Sequence, residues 1–151
     1  MQFTPDMVTA ILAGRKTRTT RPQRIVGVRT VLHEMGEVSW HDVYEETCSY
    51  KVGHDYAVCP GRGKRQVARI LIQKVVSYPF FEGIPGREEH ARKEGFANWP
   101  TFHDKWWDLY HNDEARLLGP VWVIDFELRL PSIRYNLQLI ERSDGTLEWV
   151  E

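Results

Sequence analysis

Apolar and polar residues alternate most regularly over 121–130, where Trp122, Ile124, Phe126, Leu128 and Leu130 interleave with Val123, Asp125, Glu127 and Arg129. A period of two predicts a strand with one apolar and one mostly charged face, as in a sheet with one wet side. The period recurs over 66–76 on Ala68, Ile70, Ile72 and Val76, after a shorter strand at 56–59. Val28, Thr30 and Leu32 before Met35-Gly36-Glu37, and Val38 and Trp40 after it, are also strand material. Beyond Pro131 the alternation resumes on Ile133, Tyr135, Leu137 and Leu139, and Ser143-Asp144-Gly145-Thr146 is a hairpin turn into Leu147 and Trp149.

Three segments carry helical signals instead. Thr4-Pro5-Asp6 supplies an N-cap hydroxyl, a proline at the first helical position and an acid in the first turn. Met7, Val8, Ile11 and Leu12 then share a face, and Gly14 provides a left-handed stop. Over 86–96, Glu88 with Arg92 and Glu89 with Lys93 are i, i+4 pairs of a surface helix ending at Gly95. Glu94 falls in its last turn, where the helix dipole disfavours a carboxylate. A further helix is expected from Thr101 as N-cap, burying Phe102, Trp106 and Leu109 or Tyr110. Trp99, Trp106 and Trp107 are taken as core. With no repeats or linkers, residues 1–151 read as a single α+β domain with a small curved or barrel-like sheet.

Composition excludes little but locates charge. The 151 residues, 42% hydrophobic and 27% charged, suit a globular domain with its own core. No stretch approaches the ~20 apolar residues of a membrane span, and the amino terminus lacks signal-peptide features, so the expected setting is cytoplasmic, without a membrane. Cys48 and Cys59 are expected as reduced thiols, and with His54 they match no standard zinc spacing; no metal is expected. Two windows, one between Asp6 and Glu34 and one between Asp55 and Glu82, hold eleven of the twenty cationic residues and no carboxylate. Brought together, they would form a positive surface suited to phosphate.

The first window contains Ile11 to Pro22, ILAGRKTRTTRP. A cationic run is commonly a solvated loop. Its threonines favour extended backbone, in which Thr17, Thr19 and Arg21 face one way and Lys16, Arg18 and Thr20 the other. Lys16 and Thr19 then meet only if Lys16 lies in the preceding turn. In the second window Gly61-Arg62-Gly63-Lys64 lacks P-loop spacing and reads as a basic hairpin turn.

ILAGRKTRTTRP, VGHDYAVCPGRG followed by ARILI, HARKEGF and VWVIDFEL occur in an order that resembles the ASCH family, a branch of the PUA-like superfold of small pseudo-β-barrels. Gly14, Lys16, Thr19 and Arg21 match its G-x-K-x-x-T-x-R signature. The blocks touch about a third of the chain. Residues at about 22–50 and the hairpin at about 131–151 exceed the compact members. The resemblance implies a barrel flanked by short helices, a cleft lined by the signature loop, and RNA or a modified nucleoside as partner, with no cofactor and no obligate protein partner.

Similarity to the family's acetylcytidine amidohydrolases implies hydrolysis of an acyl group from the exocyclic amine of a cytosine nucleoside. Thr19 would be the nucleophile, Lys16 its base and Glu94 the acid. Gly14, Thr17 and Arg21 would bind substrate, with Arg21 or a backbone N–H near Gly14 at the oxyanion. Arg15, Arg18, Arg62, Lys64 and Arg65 are candidates for nucleic-acid contact. Lys16 beside Arg15 and Arg18 favours a neutral amine, yet the same cations would hold a nearby Glu94 ionised. The alternatives are a non-catalytic RNA- or nucleotide-binding module, for which the same residues serve as phosphate contacts, and a metal-dependent ribonuclease, which needs a carboxylate cluster.

Overall fold

The protein is described here by a computed structural model covering residues 1–129, 138–141, 143–145 and 147–150. Helix α1 (Pro5–Leu12) begins as its sequence dictates: Thr4 Oγ1 accepts from the Met7 amide, Pro5 opens the first turn, and Val8, Ile11 and Leu12 are buried. Gly14, with φ of 77°, ends it. The chain then enters β1 (Arg18–Pro22), followed by a ribbon of β2 (Ile25–Leu32) and β3 (Val38–Tyr44).

Strands β4 (Asp55–Val58), β5 (Ala68–Tyr78) and β6 (Val121–Arg129) join β1 in an antiparallel sheet of order β1-β6-β5-β4, curled into a half-barrel. Between β5 and β6 lie a 3-10 turn at Phe81–Gly83 and helices α2 (Arg87–Lys93), α3 (Trp99–Tyr110) and α4 (Glu114–Leu118). Strands β7 (Gln138–Glu141) and β8 (Leu147–Val150) form the expected hairpin, whereas the alternation over 131–137 lies outside the described residues. No described helix is long and apolar enough to cross a membrane.

Two apolar clusters share the sheet. Ile70, Ile72, Trp122, Ile124 and Phe126 pack with α1 on one side, while Val121 and Val123 pack with Phe81, Ala91, Phe102 and Trp106 beneath α2 and α3. The first half of β6 is thus covered on both faces, which corrects the expectation of one wet side. A bulge between Ile72 and Lys74 shifts the parity of β5, so that Val75 joins the α1-side cluster in place of Val76.

Helix α3 is capped by Asn98, whose side chain accepts from the Thr101 amide; Thr101 is therefore inside the helix and is not its cap. Of the three tryptophans taken as core, Trp106 is buried, but Trp107 is half-exposed and packs into neither cluster. The ribbon contributes little to either core: Val28, Leu32, Val38 and Trp40 remain exposed.

Truncation therefore separates sheet from ribbon. Ile124→Ala should cost about 2–5 kcal/mol in urea denaturation through cavity formation. Leu32→Ala should stay within about 0.5 kcal/mol, as expected of an exposed site. A loss at Leu32 equal to that at Ile124 would contradict an exposed ribbon.

Candidate functional site

Lys16 sits in the turn ahead of β1, outside the strand. Its amide and that of Arg15 donate to Ala10 O, and Gly14 N donates to Ile11 O. Thr17 N donates to Lys93 O and Phe126 N to Thr17 O, so main-chain bonds fasten the turn between the end of α2 and β6. Lys16 and Glu94 themselves form an isolated antiparallel bridge. Gly95 makes this approach possible. Its φ of 93° suits glycine, and a β-carbon there would lie 3.2 Å from Ala10 Cβ and 3.3 Å from Lys16 Cβ.

The Lys16 side chain is 1% exposed and Glu94 is 3% exposed. Lys16 Nζ donates to Glu94 Oε2 at 2.6 Å, to Glu94 O at 3.2 Å and to Arg18 O at 2.8 Å. Burial lowers the lysine's pKa, Glu94 opposes that shift through charge and hydrogen bond, and Arg21 adds to it. Three acceptors nonetheless match the three protons of an ammonium group. The anticipated conflict between a neutral lysine and an ionised glutamate is met by direct contact between the two.

Lys16, Thr19, Thr20, Arg21 and Glu94 line one cavity of about 450 Å³, whose other walls include Phe3, Met7, Phe102 and Trp106. Thr19 and Thr20 are both buried: Thr19 lines the cavity, and the Thr20 hydroxyl meets His90 and Glu94. Thr19 Oγ1 accepts from Arg21 Nε at 3.2 Å, and no hydrogen bond joins it to Lys16. Arg21 also donates to Gln2 O at 2.8 Å and lies over the Phe3 ring. Its guanidinium lies on the cavity wall beside Thr19. The Gly14 amide is committed to Ile11 O.

The remaining predicted residues divide. Gly14 and Thr17 are exposed and do not line the cavity, so the structure gives neither a place on the substrate wall. Arg15, Arg62, Lys64 and Arg65 are exposed, and the turn bearing the last three borders the cavity through Pro60 and Gly61. Arg18 is not a surface cation. Its Nε and Nη2 donate to Asp125 at 2.6 and 3.2 Å, and Nη1 meets His90 Nδ1 at 3.1 Å. This bidentate pairing removes it from the phosphate-contact set.

Two residues of the cluster were not anticipated. Thr20 Oγ1 lies 2.5 Å from Glu94 Oε1 and 3.0 Å from Nε2 of the fully buried His90. His90 opens the HARKEGF block four residues before Glu94, one helical turn away, which is the signal that could have found it. A larger neighbouring cavity of about 610 Å³ shares Arg21 and Tyr110 with the first but contains neither Lys16, Thr19 nor Glu94. Both thiols are free, and among the described residues no three His, Cys, Asp or Glu side chains converge as metal ligands.

Removing one member of a buried ion pair strands the other. Lys16→Met should therefore cost about 3–5 kcal/mol in urea denaturation, and Lys16→Met with Glu94→Gln should recover part of that loss. Additive single and double variants would contradict the pairing.

No protein-family model matches the chain, and no curated protein matches it. Among solved structures it is similar to the crystal structure of protein EF3133 from Enterococcus faecalis V583, described by the family model DUF984. The two share 18% sequence identity with a TM-score of 0.50 over 82% of this chain and 69% of that one. The likeness is one of fold: a curled antiparallel sheet with a few short helices in an α+β arrangement.

Proposed function

We propose that this chain is an amidohydrolase of the ASCH type, with a PUA-like pseudo-barrel, that removes an acyl group from the exocyclic amine of a cytosine nucleoside. The observation that carries the reading is the convergence of Lys16, Thr19 and Glu94 on one cavity, although Lys16 and Glu94 are 78 positions apart. Thr19 is the nucleophile, Lys16 its base and Glu94 the acid.

One proton shift prepares the site. Moving a proton from Lys16 Nζ to Glu94 Oε2 across 2.6 Å turns the ion pair into an amine and a carboxylic acid. Substrate that displaces water favours this neutral pair, since burial penalises charge. Thr19 Oγ then attacks the amide carbonyl as its proton passes to Lys16, and Arg21 stabilises the oxyanion. The C–N bond breaks as Glu94 protonates the leaving amine, which leaves an acyl ester on Thr19. Water attacks this ester and gives a proton to Glu94. The C–O bond to Thr19 breaks, Lys16 returns the proton to Thr19, and the carboxylic acid departs.

A non-catalytic nucleoside- or RNA-binding module is the second reading. It is supported by the saturation of Lys16 with three acceptors and the missing Lys16–Thr19 hydrogen bond. Arg62, Lys64 and Arg65 at the rim would then contact phosphate, and affinity would fall steeply with salt.

Chromatographic assay of N-acetylcytidine with purified protein decides between the two. Deacylation is expected, with Lys16→Ala, Thr19→Ala and Glu94→Gln each lowering kcat/KM by about 100-fold or more. Lack of turnover by the wild type, or turnover indifferent to all three substitutions, would sink the hydrolase reading. Binding without turnover, lost when the three rim cations are neutralised, would establish the second.

The pH profile provides another check. The Lys16–Glu94 pair must hold one transferable proton, so kcat/KM should rise and then fall as the pair loses its second and then its remaining proton. A rate that increases with pH without a descending limb would point to hydroxide attack without the pair.

A further inference from the structure

We propose that Thr20 and His90, backed by Arg18 and Asp125, form a buried hydrogen-bond relay that positions the Glu94 carboxyl for proton exchange with Lys16. The proposal rests on the amidohydrolase reading of the cavity, and assigns Thr20 and His90 as positioning residues that act through the Glu94 carboxyl.

Donor chemistry fixes the direction of every link. Asp125 accepts from Arg18 Nε and Nη2, and a guanidinium has no acceptor to offer, so Arg18 Nη1 must donate to His90 Nδ1. In a neutral imidazole the proton therefore resides on Nε2. Nε2–H faces Thr20 Oγ1 at 3.0 Å and makes that oxygen an acceptor. The Thr20 hydroxyl proton is then directed at Glu94 Oε1, 2.5 Å away. With Oε1 occupied, Oε2 is left to Lys16. The carboxyl is held at both oxygens, and only one of them meets the base.

The surroundings maintain this polarity. Arg18 and Thr20 approach His90 from β1, Lys16 from the preceding turn, Glu94 from its own helix and Asp125 from β6. From α3 the rings of Phe102 and Trp99 lie 5.3 and 6.3 Å from the imidazole. Burial pulls the His90 pKa down to about 4; Arg18 and Lys16 act in the same direction, while Glu94 and Asp125 oppose them. The ring thus stays neutral, and the relay intact, at pH values above about 4. A charged His90 would have to donate from Nδ1 toward Arg18, and the relay would break.

Thr20→Val removes the hydroxyl with little change in volume, whereas Thr20→Ser keeps it. With N-acetylcytidine, Thr20→Val should lower kcat by about 10–100-fold at nearly constant KM, as losses of outer-shell partners do. Its pH profile should change as well, because the Glu94 carboxyl loses the hydroxyl that holds Oε1 away from Lys16. Thr20→Ser should restore both. A Thr20→Val enzyme that is merely less stable, with kcat and pH profile unchanged, would overturn the relay.

Nitrogen NMR of the histidines in the wild-type protein gives a readout independent of turnover. The His90 ring should be the neutral Nε2–H tautomer from neutral pH to below pH 5. An Nδ1–H tautomer, or titration near the ordinary value of about 6.5, would overturn the relay and leave the amidohydrolase reading standing. A wild type that does not deacylate overturns that reading and with it the catalytic role given to Thr20.

Discussion

A lysine and a glutamate almost wholly removed from water, 2.6 Å apart, impose the main constraint on this fold. Either alone would carry a desolvation cost of several kcal/mol, so each requires the other and each requires hydrogen bonds for its remaining donors or lone pairs. Those bonds come from the Arg18 and Glu94 carbonyls for the ammonium and from Thr20 for the carboxylate. The local backbone follows from that requirement. Lys16 must leave α1 before β1 begins, Glu94 must end α2 facing it, and Gly95 must turn without a side chain between them.

The sheet completes the enclosure. Asp125 lies on β6 opposite Arg18 of β1, so the strand register itself delivers the carboxylate that holds Arg18 against His90. This explains why the second face of β6 changes character along its length. Val121 and Val123 support α3, and Asp125 then serves the polar cluster. Only beyond that point does the strand's second face reach the surface, at Glu127 and Arg129.

Much of this was legible before the structure. The Thr4-Pro5 start of α1 and the strand period of β6 follow from local rules, whereas the placement of Lys16 in the turn was only a condition for its meeting the site, which the main-chain bonds to Ala10 fulfil. The parity shift in β5 was not legible, since a bulge depends on the partner strand and leaves the apolar pattern of a single strand ambiguous. The cap of α3 went to Asn98 because Pro100 can occupy the first turn that a Thr101 cap would have excluded it from. In the site, Lys16, Thr19 and Glu94 could be named from a motif, whereas Thr20 and His90 could not. A threonine facing away from Thr19 along a strand reads as the outer face until a helix is packed on that side. The pairing of Arg18 with Asp125 was not legible for a similar reason: sequence windows count charges but do not show which of them a distant carboxylate will meet.

The cost of burying Lys16 and its chemical usefulness are the same quantity. Desolvation lowers the pKa of the ammonium and makes a proton on Nζ easier to give up; an exposed lysine at the same position would hold it against any carboxylate. On the proposed amidohydrolase reading, the apolar walls supplied by Phe3, Met7, Phe102 and Trp106 would be part of the acid–base chemistry as well as a surface for a ligand. A substitution that opened those walls to water without touching Lys16, Thr19 or Glu94 would stabilise the ion pair relative to the neutral pair. The balance between ion pair and neutral pair across this 2.6 Å hydrogen bond is set by how dry the walls keep it.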